Sequence, residues 1–130
     1  MAEINISELS IGDWVKIGGD YFQIYHLTLA GDVYGYRKNK DSLTGEEYYD
    51  GELSDVEPIP LTPEILEKNG ISKTYESDEY AVYKGEGFNV TEYYTELCDF
   101  ERHRNRLMIR NVHQLQHALR LAGVEKEIEL

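Results

Sequence analysis

Two histidines, His113 and His117, lie four residues apart in the segment VHQLQHALRLAG, and Arg120 follows three residues later. On a helix, residues three and four apart are neighbours, so this spacing gathers the three side chains on one face. A histidine pair of this kind can ligate zinc, but the segment offers no acid or cysteine to complete the ligand set, and the arginine would repel the ion. We expect no metal here. A contact with an anion or an acidic partner, and an ordinary solvated helix face, both stay open.

The rest of the chain contains no recognisable catalytic signature. Its one cysteine, Cys98, has no flanking residues typical of a cysteine nucleophile, and no serine lies in a nucleophile elbow. The glycines at 18–19 and 85–87 fit hairpin turns between strands better than a phosphate-binding loop. Adjacent carboxylates are so frequent that no single pair indicates acid–base chemistry. We therefore expect a non-enzymatic protein that uses no cofactor.

The net charge of −12 is distributed unevenly along the chain. Asp41 to Glu57 contains seven acids and no base, whereas Arg102 to Gly123 contains five arginines and no acid. Because binding to a phosphate backbone requires clustered bases, the acidic total argues against ordinary nucleic-acid binding. We predict interaction residues at two poles, which could satisfy each other within one chain or across a homodimer. The acidic pole comprises Glu46, Glu47, Asp50 and Glu52, and the basic pole comprises Arg102, Arg104, His113, His117 and Arg120.

A length of 130 residues, with 41% hydrophobic and 12% aromatic residues, predicts a single folded domain. Eleven residues are tyrosines, whose rings can be buried while the hydroxyl stays wet, as on half-exposed strands or contact surfaces. A lone cysteine fits a reducing compartment. No leader sequence opens the chain and no apolar run is long enough to cross a bilayer, so we expect a cytoplasmic protein without a membrane partner.

Short strands separated by glycine turns are predicted in residues 1–57. They are Trp14–Ile17, Tyr21–Leu29 and Val33–Arg37, with further strand sequence at Tyr48-Tyr49 and Leu53–Val56. Two-residue alternation divides the second strand into two sides. One side carries Phe22, Ile24 and His26, and the other carries Tyr21, Gln23, Tyr25 and Leu27. Strands of this length joined by tight turns are typical of a small antiparallel SH3-like barrel or a curled sheet.

A short bridging helix is predicted within residues 58–71. Thr62 is a natural N-cap, Pro63 suits the first helical position, and Gly70 can end the helix in a left-handed conformation. Ile65 and Leu66 would face inward.

Residues 72–130 predict further strands and a C-terminal helix. Two strands are expected between 74 and 97, and another at Leu107–Arg110 after the polar turn ERHRNR. The helix would begin at Asn111 and end at Gly123, with EKEIEL as a short strand or a frayed tail. Its buried side would carry Val112, Leu115, Ala118, Leu119 and Ala122, and its solvent side the two histidines and Arg120. The whole chain is predicted to be one α+β domain, residues 1–130.

The stretches IGDWV, PIPLTPEILEKNGI and VHQLQHAL carry a resemblance that spans most of the chain. They resemble signatures of a family of small uncharacterised proteins from Bacteroides-type gut bacteria and their phages and mobile elements. The middle stretch is the most specific, and the chain departs from the family after His117. The family has no assigned activity, so the resemblance implies no catalytic residues. A phage or mobile-element origin implies a small regulator or inhibitor.

Three functions fit these observations, and a small hydrolase or metal enzyme is kept only as a residual alternative. The first, which we expect, is a non-enzymatic acidic domain that binds another protein as a phage or mobile-element accessory. The second is a narrower form, an anti-defence inhibitor whose acidic region imitates a phosphate backbone and blocks a host nucleic-acid-binding protein. The third is a module for single-stranded nucleic acid. It would stack bases on Trp14, Tyr21, Tyr34 and Tyr36 and bind phosphates through Arg102, Arg104 and Arg106.

Overall fold

The computed structural model of the chain describes residues 8–38, 43–94 and 98–130. It divides into two compact units, Met1–Ile59 and Pro60–Leu130. Each unit contains a five-stranded antiparallel sheet, and both helices belong to the second unit. The predicted α+β class is therefore confirmed. A single domain over 1–130 stays a prediction, and Asp41, the first acid of the predicted acidic stretch, lies outside the described residues.

The first unit is an open antiparallel sheet. Its strands are β1 (Trp14–Ile17), β2 (Asp20–Leu27), β3 (Asp32–Lys38), β4 (Glu46–Glu52) and β5 (Val56–Glu57), in the order β4-β3-β2-β1-β5. The strand predicted over Leu53–Val56 is mostly a 3-10 helix, Leu53–Asp55. Among the described residues neither sheet closes on itself, so the SH3-like barrel is not confirmed.

One face of this sheet carries the core of the first unit. Val15, Phe22, Ile24 and Val33 are each at most 3% exposed. Phe22 can lie flat on the sheet because residue 35 is glycine, whose added Cβ would come within 2.9 Å of the Phe22 Cβ. Since side chains alternate across a strand, burying this set directs the neighbouring tyrosines to the opposite face.

A β-bulge changes the alternation at the end of β2. The register between β2 and β3 shifts between Ile24 and His26, so that Tyr25 and His26 both lie beside Tyr34. Both side chains are exposed, and Leu27 returns to the core side. The prediction that His26 shares a side with Phe22 is therefore wrong, because an extra residue in one strand inverts the alternation beyond it.

The second unit combines the other sheet with both helices. Its elements are α1 (Pro63–Lys68), β6 (Ser72–Glu76), β7 (Tyr80–Gly85), β8 (Phe88–Tyr93), β9 (Cys98–Arg102), β10 (Asn105–Ile109) and α2 (Val112–Leu121), with the strand order β10-β9-β8-β7-β6. Three strands occupy the stretch where two were predicted. Helix α1 begins as predicted, with the Thr62 hydroxyl accepting a hydrogen bond from the Ile65 N–H at 3.3 Å, and Gly70 follows it at φ 75°.

Helix α2 supplies much of the core of the second unit. Val112, Leu115, Ala118 and Leu119 are at most 1% exposed, as the spacing predicted. The helix begins at the expected residue, where the Gln114 side chain accepts hydrogen bonds from the N–H groups of residues 110 and 111. Gly123, at φ 72°, ends it. No helix among the described residues is long and apolar enough to cross a membrane.

The buried thiol of Cys98 leads to a pH-dependent prediction. Burial, followed by the nearby Glu92 and Asp99 carboxylates, raises the Cys98 pKa from 9.0 to about 11. At pH 8 this lowers the thiolate fraction roughly a hundredfold, so alkylation by iodoacetamide should be at least that much slower in the folded chain than in urea. Because folding disfavours the thiolate, the thiol's contribution to stability is intact below pH 9 and falls as the pH rises toward 11. Equal alkylation rates in folded and unfolded chains would contradict this.

Candidate functional site

A connected group of aromatic rings covers the outward face of the first sheet. We call Tyr25, His26, Tyr34, Tyr36 and Tyr48 the tyrosine face. Ring centroids are 6.0 Å apart between Tyr25 and Tyr34, 5.9 Å between Tyr25 and Tyr48, and 5.5 Å between Tyr36 and Tyr48. His26 joins the group through Tyr34, at 5.2 Å. The rings come from three adjacent strands, so the sheet fixes their spacing.

The tyrosine face is accessible to a partner. Tyr25 is 45% exposed and Tyr48 is 60% exposed, so much of the area of both side chains is in contact with solvent. In the β1–β2 ladder Trp14 pairs with Gln23, and Tyr21 pairs with Lys16. Both rings lie on the same side of the sheet as the tyrosine face. The stacking residues named for nucleic acid, Trp14, Tyr21, Tyr34 and Tyr36, therefore do share one face.

Acidic side chains border the tyrosine face and set its electrostatic sign. The Tyr48 hydroxyl donates a hydrogen bond to the Glu46 carboxylate at 2.8 Å, and this bond is the main reason why the Tyr48 pKa is raised. The negative charge of Asp50, followed by burial and by Asp32, raises the Tyr34 pKa. Both shifts have the same meaning: the field at these hydroxyls is negative, which favours cations and disfavours phosphates.

The acidic pole is divided by strand β4. Glu46, Asp50 and Glu52 alternate with the inward residues and stand on the same side as Tyr48. Glu47 points the other way, and the Arg37 guanidinium binds its carboxylate at 2.5 and 2.6 Å. Three of the four predicted acids therefore border the aromatic rings, whereas Glu47 holds an arginine that also lies over the Phe22 ring at 5.3 Å.

The basic pole is also divided. In the β9–β10 hairpin of the second unit Arg102 ends β9 and Arg104 lies in the turn, whereas Arg106 pairs with Glu101 on the face opposite to that of Arg102. His113 is 1% exposed, so the prediction that it faces solvent is wrong; its ring packs edge-on against that of half-buried His117, with centroids 5.9 Å apart. Arg120 is exposed in the last turn of α2. The described residues contain no group of three or more potential ligands that could hold a metal ion.

The hairpin turn itself holds two basic residues in an unfavourable backbone conformation. His103 has φ 50° and Arg104 has φ 69°, the left-handed region that two-residue hairpin turns require and that Asn-Gly occupies most easily. Side chains other than glycine at such angles cost of the order of 1 kcal/mol each. Stability alone would therefore select other residues at this turn.

Replacing the turn by the sequence that its geometry favours should stabilise the protein. We expect His103→Asn with Arg104→Gly to raise the free energy of unfolding by about 1–2 kcal/mol, measured by urea denaturation, because the strain at both residues is relieved. Asn105→Gly, one residue further on in an extended strand, is the matched control and should destabilise instead. A double variant no more stable than the parent would show that the turn stores no strain.

Tyr25, His26 and Tyr48 were not singled out from the sequence as site residues. The alternation Glu46–Tyr48–Asp50–Glu52 was a usable signal, because it places acids and an aromatic ring on one side of a strand. Tyr25 and His26 gave no such signal, since their common orientation depends on the bulge.

No protein-family model, curated protein or solved structure matches the chain. The resemblance to proteins of phages and mobile elements stays a prediction.

Proposed function

We propose that this chain is a non-enzymatic protein-interaction module that binds a basic, extended segment of another protein through the tyrosine face. The observation that carries the proposal is the connected, exposed ring cluster with carboxylates at its border. Tyrosine is the residue type that most often combines buried ring area with a polar contact at interfaces.

The chemistry of the face favours cationic side chains. Guanidinium and ammonium groups are attracted to the faces of aromatic rings, and more strongly where water is partly excluded. Glu46 and Asp50 add the negative charge that would pair with such a group at the border. A ring cluster edged by acids is therefore complementary to arginine and lysine side chains that are presented at regular spacing.

Pairing with strand β4 would place the arginine and lysine side chains of a partner at such a spacing. The strand lies at the edge of the sheet, is seven residues long and contains no proline. An extended segment pairing with this edge would place every second side chain beside Tyr48 and its flanking acids. A symmetric dimer through the same edge would instead oppose carboxylates of two copies, which is destabilising. The edge is thus better suited to a basic partner than to a second copy.

The two alternatives rank below this function for electrostatic reasons. Single-stranded nucleic acid would find stacking platforms on the face, but its phosphates would meet the negative field at Tyr34 and Tyr48. Imitation of nucleic acid is compatible with the proposal, because the protein that it blocks would be basic. This version additionally predicts that the affinity for the blocked protein decreases steeply with salt concentration. In either version the chain would act as an accessory protein of a phage or mobile element.

Fluorescence anisotropy with defined probes tests the proposal. We expect saturable binding of a labelled eight-residue peptide of alternating arginine and valine at low salt, and none of a glutamate–valine peptide of the same length. A fifteen-nucleotide oligothymidylate should not bind. Absence of binding by the basic peptide would refute the proposal, and comparable binding of the oligonucleotide would replace it by the nucleic-acid function.

A further inference from the structure

The second unit contains a cavity that the proposed function does not use. It has a volume of about 430 Å³ and lies between the β9–β10 hairpin and the last turns of α2. Cavities of this size are within the range that binds small molecules. Its walls separate into two chemical parts, one apolar and one basic.

The apolar part is continuous with the core of the second unit. Phe100 and Ala118, which line it, are 4% and 1% exposed, whereas Leu107, another lining residue, is 42% exposed. A ligand that enters this space would cover apolar surface that is now in contact with water, which is the main source of affinity for small ligands.

The basic part comes from the hairpin. Arg102, His103 and Arg106 all line the cavity. Arg106 forms an ion pair with Glu101 at 3.8 Å, and its side chain stands on the face of the hairpin opposite to that of Arg102. In the part of the chain that the structure describes, no ion pair involves Arg102. Among the described residues no acidic side chain lines the cavity, and Arg102 makes its formal charge positive.

The C-terminal end of α2 does not cancel this charge. Helix C-termini carry partial negative charge on their unpaired carbonyl groups. Here the carbonyl oxygens of Ala118, Leu119 and Arg120 accept hydrogen bonds from the N–H groups of residues 122, 124 and 123. These three carbonyl groups therefore already have backbone partners and do not compete for the arginine side chains.

A neighbouring cavity of about 470 Å³ gives the contrast. It also contacts Arg102, but Glu86, Glu125 and Lys126 line it as well, so it has no single sign of charge. Of these two cavities, the one beneath the hairpin combines an apolar interior with a basic rim.

We infer that the cavity beneath the β9–β10 hairpin binds a small organic anion with an apolar body, the acid group at Arg102 and the body against Phe100, which shares a face of the hairpin with Arg102. The strained turn supports the assignment: His103, held at φ 50°, lines the cavity, so the unfavourable conformation serves a ligand contact. This site is in the second unit and is independent of the tyrosine face.

The aromatic sulfonate 1-anilinonaphthalene-8-sulfonate is a suitable probe, because its fluorescence rises in apolar surroundings. We expect saturable binding of one probe per chain. N-phenyl-1-naphthylamine, which has the same rings without the sulfonate, should bind at least about tenfold more weakly, since it has no acid group for Arg102. Absence of saturable binding, or equal binding of the neutral compound, would overturn the inference.

Variants locate the site. Arg102→Gln should weaken sulfonate binding at least about tenfold and leave the neutral compound unaffected, because a charge-assisted contact is lost. Arg104→Gln is the matched control: it removes the same charge from the same hairpin, does not line the cavity, and should change affinity less than about twofold. Ala122→Leu should weaken both compounds by filling the space. Equal effects of the two arginine variants would overturn the inference, and Ala122→Leu serves if Arg102→Gln does not fold.

Discussion

Replacing Tyr25 and Tyr48 together by alanine is expected to weaken binding of the arginine–valine peptide by about a hundredfold. These are the most exposed tyrosines of the tyrosine face, and their rings contact each other edge to face with centroids 5.9 Å apart. Aromatic residues at the centre of an interface commonly account for most of its affinity, because they bury large area at little conformational cost. Anisotropy titration of the parent and the double variant, at one salt concentration, gives the ratio.

Two pairs of charge variants separate the local contact from the general acidity of the chain. Glu46→Gln with Asp50→Asn removes two charges beside the tyrosine face, whereas Asp78→Asn with Glu79→Gln removes two exposed charges from a turn of the second unit. The net charge changes equally in both. We expect the first pair to weaken binding about tenfold and the second less than about twofold, because screening limits the reach of exposed charges to about 8–10 Å. Equal losses would mean that the peptide follows overall charge.

The parts of the fold that follow from local chemistry were predictable. Helix α1 needs only the Thr62 cap, Pro63 at its start and Gly70 beyond its end, and all three act within a few residues. Strands β1, β2 and β3 follow from alternation interrupted by glycine turns. Such features depend on neighbours in the sequence, so the sequence displays them directly.

The parts that depend on pairing between strands were not predictable in the same way. The bulge at Tyr25 exists only in the register between β2 and β3. The β9–β10 turn was hidden because His103 and Arg104 occupy positions where glycine or asparagine would have indicated a hairpin. Helix α2 buries six of its ten residues, a wider arc than its apolar side chains alone suggest, and this arc includes His113.

The position of the last residues of the chain also depends on contacts that are distant in sequence. A frayed tail is one of the two structures that the sequence predicts there. Ile128 is 3% exposed, and the Asn69 side chain holds the backbone of the next residue. The Asn69 oxygen accepts a hydrogen bond from the Glu129 N–H at 2.7 Å, and its amide nitrogen donates to the Glu129 carbonyl at 2.8 Å. It also donates to the Ile65 carbonyl at 2.8 Å. One buried amide thus joins the end of α1 to the C-terminal tail.

Asn69→Ala should therefore lower the free energy of unfolding by about 2–4 kcal/mol, measured by urea denaturation. Three hydrogen bonds are lost, and the backbone groups that they satisfied stay partly buried. Glu129→Ala is the control, because it leaves the backbone bonds intact and changes only an exposed side chain; its effect should be within about 0.5 kcal/mol.

A double-mutant cycle tests whether Asn69 acts through the tail. Deletion of residues 128–130 removes both partners at Glu129 and the buried Ile128 side chain. In that background Asn69→Ala should cost only about 1 kcal/mol, for the remaining bond to Ile65, because contacting residues are not additive. An equal cost with and without the tail would place the contribution of Asn69 within α1 alone, and the tail would then be held by Ile128.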